Sequence, residues 1–318
     1  MLIIFGPTGV GKSDLAEQIA NHIPSEIINM DVGQLYVPLT IGTAKPDWRT
    51  SSIPHHLFDE VDKPVDYSVA LYRARVIERM QLIWNNGKLP ILVGGSGFYL
   101  KSLLFPPTVP VIAPNNTLVT PENVMEYWAT LFQIDPVRAM AIDKYDVYRV
   151  GRALNIWNAT GVKPSEYQVS YDPPASYTLL FLTRSREELY GRINMRVDCM
   201  MEQGWLNEVS GLRDTEWEPF LLKKKLIGYN ELLQYLHGSK TGDAWNDTVT
   251  LIKQRTRHYA KRQHTFWRML KQKLEPDIVR NKSTDPYSSA ESINLTLLNV
   301  DLYIKLLVQR LPISMHRK

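Results

Sequence analysis

Eight consecutive residues, Gly6-Pro7-Thr8-Gly9-Val10-Gly11-Lys12-Ser13, fit the spacing G-x-x-x-x-G-K-[ST]. The glycines let the backbone curl, so amide N–H groups converge on a phosphate while the lysine and the hydroxyl close around it. A chance match in a chain of 318 residues is roughly a 1% event. Such loops place Mg²⁺ on the loop hydroxyl, here Ser13, and a carboxylate near the next strand end, here Asp31. Arg192 and Arg196 stand at i and i+4, where a helix aims both at a phosphate or leaves them as a surface pair. These residue types describe an enzyme with a di- or triphosphate substrate and a carboxylate base. Alone, the loop points to ATP and phosphoryl transfer.

The elements that must position these groups follow from the apolar pattern. Met1 to Phe5 reads as a strand entering the loop, and Asp14 to His22 as the helix leaving it. Glu26 to Met30 is a second strand ending at Asp31, and Pro54 to Asp59 another. Ser68 caps a helix to about Asn85, and Leu89 to Val93 is a strand closed by Gly94-Gly95-Ser96-Gly97. This alternation predicts an α/β fold, a P-loop NTPase-like parallel sheet with helices on both faces. The P-loop, Asp31 and the Gly94–Gly97 turn all follow strands, so they should meet in the crevice at the carboxyl edge of the sheet.

From Pro106 the texture changes. Pro106, Pro107, Pro110 and Pro114 predict a stiff, turn-rich passage, Pro121-Glu122-Asn123 a helix start, and the stretch to about Tyr177 helices without strands. Thr178 to Leu182 restores the strand texture. Ser185 with Glu188 has capping-box spacing and opens a helix to about Gln203, stopped by Gly204. The expected organisation is a catalytic core of residues 1–108 and 177–318 around a helical insertion of residues 109–176.

Hydrophobic content of 44% and charge of 22% are those of a soluble globular protein. A net charge of +4 is mild, so a nucleic-acid surface must come from clustering. Between Lys253 and Lys273 lie eight Lys or Arg and no acid. On a helix Lys253, Arg257, Lys261, His264, Arg268 and Lys271 share one face, with Ile252, Tyr259, Phe266 and Leu270 on an apolar face for docking. Arg149 and Arg152, one turn apart, offer a second patch.

Cys199 is the only cysteine, which excludes internal disulfides and suits a reducing cytoplasm; beside Met200 and Met201 it reads as a core residue. His55 and His56 point to opposite faces of a strand, so they are expected to order the substrate edge by hydrogen bonds rather than share a metal. The eight tryptophans read as packing. Neither a signal-peptide pattern nor a stretch of about 18 uncharged apolar residues is seen, so no membrane span is expected.

At these residues the chain closely resembles the tRNA dimethylallyltransferases. The likeness runs through the P-loop opening, Asp31 with Gln34 and Tyr36, Ile41-Gly42-Thr43-Ala44-Lys45-Pro46, His55-His56-Leu57 with Asp59, and Val93 to Tyr99. It continues in Arg192-Ile193-Asn194, Arg196-Val197-Asp198, Gly204 with Glu208-Val209, Ile227-Gly228-Tyr229, and Thr256 to Gln263. The resemblance implies that the P-loop cradles dimethylallyl diphosphate and that carbon, not phosphoryl, is transferred to an adenosine beside the anticodon. It implies Asp31 as the general base and Lys12, Arg196 and Mg²⁺ on Ser13 as partners of the leaving pyrophosphate, with Thr8 beside it. Asp31, Val32, Gly33, Gln34 and Ser96 would meet the acceptor nucleotide. Tyr148, Arg149 and Arg152 in the insertion, with Arg257, Lys261 and Arg262, would grip the anticodon stem-loop.

The chain departs from the family at four places. Val32 stands where serine is usual, Ser96 where threonine is common, Tyr148 replaces the usual glutamine, and Phe266-Trp267 reverses the common order. An adenylate isopentenyltransferase acting on free nucleotides, a P-loop small-molecule kinase and a non-catalytic tRNA-binding protein are the rival readings. The resemblance further implies a cytoplasmic monomer with no membrane segment.

Overall fold

Leu2–Phe5 carries no polar side chain, and in the computed structural model it forms β1, buried throughout. The structure describes residues 1–106, 119–167, 170–238 and 240–311. After β1 come α1 (Lys12–Ala20), β2 (Ser25–Asn29), β3 (His55–His56), α2 (Val69–Asn85), β4 (Leu89–Gly94) and α3 (Gly97–Leu104). Then follow α4 (Val124–Ile134), α5 (Pro136–Met140), α6 (Val147–Thr160), β5 (Thr178–Thr183) and α7 (Arg186–Glu202). The chain closes with α8 (Trp205–Leu212), α9 (Trp217–Lys224), α10 (Tyr229–His237), α11 (Gly242–Arg280), β6 (Ser289–Asn294) and α12 (Val300–Arg310).

The strands make one parallel sheet in the order β3-β2-β4-β1-β5-β6. Alternate side chains serve its two faces. Leu2 and Ile4 of β1 join Leu15 and Ile19 of α1 and Ile304 and Leu307 of α12 in one apolar cluster. Phe5 points the other way, toward Phe181 of β5 and Trp267 of α11. Phe181 and Trp267 stack with centroids 4.7 Å apart. Helices therefore cover both faces, as a parallel sheet demands.

The chain forms two units, residues 1–101 with 174–318, and residues 102–173. The second unit has its own small core of Val124, Leu131, Ala139, Ile142, Val150 and Leu154, drawn from α4, α5, α6 and the turn before α6. The proline-rich passage at Pro107, Pro110 and Pro114 lies outside the described residues.

Two local expectations are corrected, and one strand was not foreseen. The strand read at Pro54 to Asp59 is only two residues long, because Leu57 and Asp59 take φ of 62° and 52°, which breaks extended backbone. The capping box at Ser185 is half formed: Ser185 Oγ accepts from the Glu188 N–H at 3.3 Å, but the Glu188 carboxylate pairs with Arg184 and Thr296 instead. β6, with the polar sequence Ser-Ala-Glu-Ser-Ile-Asn, is an edge strand that no apolar run announced.

Candidate active site

The P-loop is shaped by its glycines. Gly9 and Gly11 take φ of 80° and 102°, a region side chains rarely enter. Gly11 caps α1 without any side-chain hydrogen bond, so the first amides of the helix remain open to an anion. Two arginines hold the loop by its carbonyls. Arg192 Nε donates to Gly9 O and Arg184 Nε to Val10 O, each at 2.8 Å. Arg192 is thus a clamp on the loop, while Arg196, one turn later, lines the cavity.

Lys12 Nζ donates to Pro7 O at 2.9 Å, lying back across the loop. Burial, with Arg196 adding repulsion, lowers its pKa to about 8, against the opposing pull of Asp31. Ser13 is exposed, and its hydroxyl makes no hydrogen bond among the described residues.

Asp31 sits just past β2, where Asn29 stands level with Val93 of β4. Its carboxylate Oδ1 accepts from the Gly33 N–H at 3.1 Å, and its own N–H donates to Asn29 Oδ1 at 2.8 Å. Asn29 is buried and also donates to Leu57 O. Burial raises the Asp31 pKa above the ordinary carboxylate range; Lys12, the Gly33 amide and Arg196 pull the other way. A carboxyl held this way is suited to take a proton.

Asp31, Thr8, Ser96 and Arg196 line one cavity of about 370 Å³. Its apolar wall includes Val32, Val197, Met200, Trp205 and Ile227. The Val32 N–H donates to Ser96 Oγ at 3.1 Å, tying the Asp31 turn to the Gly94–Gly97 turn. A second cavity, of about 480 Å³, shares Ala44, Arg196 and Met200 and adds Gly9 and Arg192. The expected convergence of P-loop, Asp31 and glycine turn is observed.

Gly33 and Gln34 also hold the shape of this site. A Cβ at Gly33 would come within 2.7 Å of Thr43. Gln34 Nε2 donates to the carbonyls of Thr43 and Ala44 at 3.0 and 3.1 Å. The same Ile41–Pro46 segment is nailed down by Glu208, whose carboxylate accepts from the N–H groups of Thr40, Ile41 and Gly42 and from the Tyr229 hydroxyl. Trp205 is wedged between Gly42 and Gly228, where added Cβ atoms would lie 2.1 and 1.9 Å from its ring.

Gln263 is a residue that the reading of α11 passed over. It is buried, it accepts from the Thr8 N–H, and its Nε2 donates to Gly95 O at 2.9 Å. It closes the Thr256–Gln263 string of the family resemblance, which assigned it no role. Tyr259 was read as part of the docking face; it lines the cavity instead, its ring under Arg262 with the guanidinium 5.6 Å from the centroid. Burial, and then the charge of Asp31, raise its pKa, so the hydroxyl stays protonated.

The basic face of α11 is divided. Lys253 pairs with Asp198 at 2.6 Å, and Arg257 donates to Asn194 Oδ1 at 2.6 Å and faces the Tyr190 ring, so this half is spent on α7. His264 packs edge-on against Phe181. Lys261, Arg262 and Arg268 are exposed. In the second unit, on α6, Tyr148 is exposed, Arg149 pairs with Asp146 at 3.3 Å and Arg152 is half-buried.

Two further expectations change. Cys199 is exposed and borders the second cavity, because it lies one residue before the buried Met200. His56 pairs with Glu26 at 2.6 Å and His55 with Ile53 O at 2.7 Å, so they order the edge strand β3 rather than line the cavity.

A family model described as IPP transferase matches residues 34–270. The curated tRNA dimethylallyltransferase of Pseudothermotoga lettingae is 36% identical over 301 residues, covering 93% of this chain and 95% of that protein. That of Lacticaseibacillus casei is 40% identical over 278 residues, covering 84% and 88%. Among solved structures, the full-length tRNA isopentenylpyrophosphate transferase of Bacillus halodurans superposes with a TM-score of 0.64 at 28% identity, over 97% of this chain and 95% of that one. A eukaryotic dimethylallyltransferase acting on tRNA gives a TM-score of 0.71 at 28% identity, over 98% and 77%.

Proposed function

The chain belongs to the IPP transferase family, and on that ground we propose that it prenylates tRNA. It moves a dimethylallyl group from dimethylallyl diphosphate to the exocyclic N6 amine of the adenosine 3′ to the anticodon, releasing pyrophosphate. The observation that carries this reading is the sharing of one cavity by Asp31, Thr8 and Arg196.

The adenine amine is conjugated with its ring and is a poor nucleophile. As its nitrogen bonds the allylic carbon, the carbon–oxygen bond to the diphosphate breaks and the amine proton passes to Asp31. Charge gathers on the leaving pyrophosphate, where the open amides of α1, Lys12 and Arg196 stabilise it. The exposed, uncommitted Ser13 hydroxyl suits a hard cation, and Mg²⁺ held there would supply further positive charge to the diphosphate. The adenine reaches the cavity by leaving the anticodon-loop stack.

Exposed Lys261 and Arg262 on α11, with Tyr148, Arg149 and Arg152 on α6, are the groups we assign to the RNA. A free nucleotide would need none of them, which sets the adenylate-prenylating rival aside. No helix among the described residues is long and apolar enough to cross a membrane. With tRNA as its substrate, we read the enzyme as a cytoplasmic monomer. The test is incubation with labelled dimethylallyl diphosphate and either unmodified tRNA or AMP. Label should enter tRNA; label confined to AMP, or turnover of ATP with an added acceptor, would replace this reading.

A further inference from the structure

Beside the reaction cavity the chain leaves an aromatic ring in solvent. Phe98 lies in the first turn of α3, two residues after the cavity residue Ser96, and is 72% exposed. Its ring leans on Phe266 of α11, with centroids 5.8 Å apart and planes at 58°. Phe266 in turn occupies the space over Gly97, where a Cβ would come within 2.5 Å of the ring. The platform is therefore fixed from below by a residue that could carry no side chain.

Phe266 also lines a shallow depression of about 540 Å³ with His258, Lys261, Arg262, Thr265 and Met269. Met269 is 59% exposed. Arg262 belongs to this depression and to the reaction cavity alike, so the two surfaces are continuous.

The charge around this patch is mainly positive, with Glu275 and Asp277 only at its far end. From Thr256 to Leu274, α11 carries no acid. Lys101 on α3 is exposed, and it stands near enough to Lys273 on α11 to add to the burial that lowers the Lys273 pKa, against the pull of Asp277. Single exposed hydrophobic residues need no explanation, but an exposed ring and thioether set among cations and joined to a reaction cavity form a different surface. Cations that track a phosphate backbone, with aromatic faces between them, are what single-stranded RNA requires.

We infer that Phe98 is the stacking platform for a nucleotide flanking the target adenosine. The inference rests on the tRNA reading above. When the adenosine enters the cavity, its neighbour loses a stacking partner, and the Phe98 ring replaces it. Phe266 and Met269 form the bed, while Lys101, Lys261 and Arg262 take the adjoining phosphates. Stacking of this kind tolerates any base, so the surface fits an opened loop and not a particular sequence.

The test uses the full chain with an anticodon stem-loop carrying 2-aminopurine next to the target adenosine. Wild-type protein should change the probe's fluorescence on binding. Phe98→Ala should abolish that change and raise KM for the stem-loop roughly 5- to 100-fold, with KM for dimethylallyl diphosphate unchanged. Phe98→Trp should restore both readouts, which a merely structural role would not predict. Phe98 is exposed, so these variants leave the core untouched. An unchanged KM and probe signal in Phe98→Ala overturns the platform while leaving the prenylation reading intact. Unmodified RNA with wild-type protein would instead overturn that reading. Unaltered RNA binding in Phe98→Ala combined with capture of a protein partner would assign the patch to protein.

Discussion

The backbone N–H of Thr8 donates to the side-chain oxygen of Gln263 at 2.9 Å, joining the P-loop to a helix 255 residues further along the chain. The other end of the same amide donates to Gly95 O. One side chain thus sets the distance between the loop that receives the diphosphate and the turn that flanks the acceptor. Gln263→Leu keeps the size and removes both bonds. We expect kcat/KM for the donor to fall about 10²-fold through misplacement of the loop. Stability should fall by about 1–3 kcal/mol, from the buried groups left unpaired. Steady-state kinetics beside a denaturant melt will separate the two effects, and wild-type kinetics in a folded Gln263→Leu would contradict the role.

Asp31→Asn retains the shape and the bond from Gly33 but cannot take a proton at neutral pH. Turnover should drop by roughly 10²–10⁴-fold while stem-loop affinity persists. Filter binding and single-turnover transfer provide the check. Undiminished transfer removes Asp31 as the base.

The pH profile has two limbs whose signs follow from the two displaced groups. Asp31 is raised, so its basic form is lost as pH falls through that raised value. Lys12 is lowered to about 8, so its charge is lost as pH rises through about 8. A bell-shaped profile of kcat/KM for dimethylallyl diphosphate is expected, with the alkaline limb near 8. Bound diphosphate favours the charged lysine, so the same limb in kcat should move to higher pH. An alkaline limb that stays at the same pH in kcat would mean that Lys12 does not meet the diphosphate.

Val32 lines the cavity beside Asp31 and is held there by its N–H bond to Ser96. Val32→Ser leaves that backbone bond in place and returns the hydroxyl usual in the resembled family. Turnover should be kept or raised. A large loss in the same transfer assay would show that the wall must be apolar at this point.

Trp205 is gripped between two residues without side chains. Gly42→Ala would drive a methyl to 2.1 Å from the indole, and Gly228 also has φ of 87°. Each alanine should destabilise by about 1–3 kcal/mol through overpacking, and should loosen the Ile41–Pro46 segment. Thermal unfolding will show it, and an unshifted transition in Gly42→Ala would mean the ring has room to move.

The sheet and the meeting of its loops were legible because β1, β4 and β5 have apolar centres and β2 is built on Ile27 and Ile28, and β1, β2 and β4 each end in a polar or glycine signal. α11 was legible as a helix but not in its facing. Its buried positions include Ile252, Ala260, Gln263, Trp267 and Leu270. Ala260 and Gln263 add no bulky apolar signal, so a count of large residues drifts to Tyr259 and Phe266, one position away. One residue is about 100° on a helix, enough to turn the basic stripe partly onto α7. β6 escaped because an edge strand can be polar. Glu208, Trp205 and Gln263 escaped as partners because their contacts cross long sequence separations that no local pattern encodes.

The strand order makes the sheet a ruler. β2, which leads to the base, and β1, which leads to the phosphate loop, are separated by β4 alone, hence by about 10 Å. β4 ends level with Phe5 at Gly94, whose missing Cβ would lie 2.0 Å from the Met30 carbonyl. The intervening strand therefore projects no side chain into the gap at that point. What remains is a slot whose width is a multiple of the interstrand spacing, in which nitrogen, carbon and departing oxygen can be set in a row.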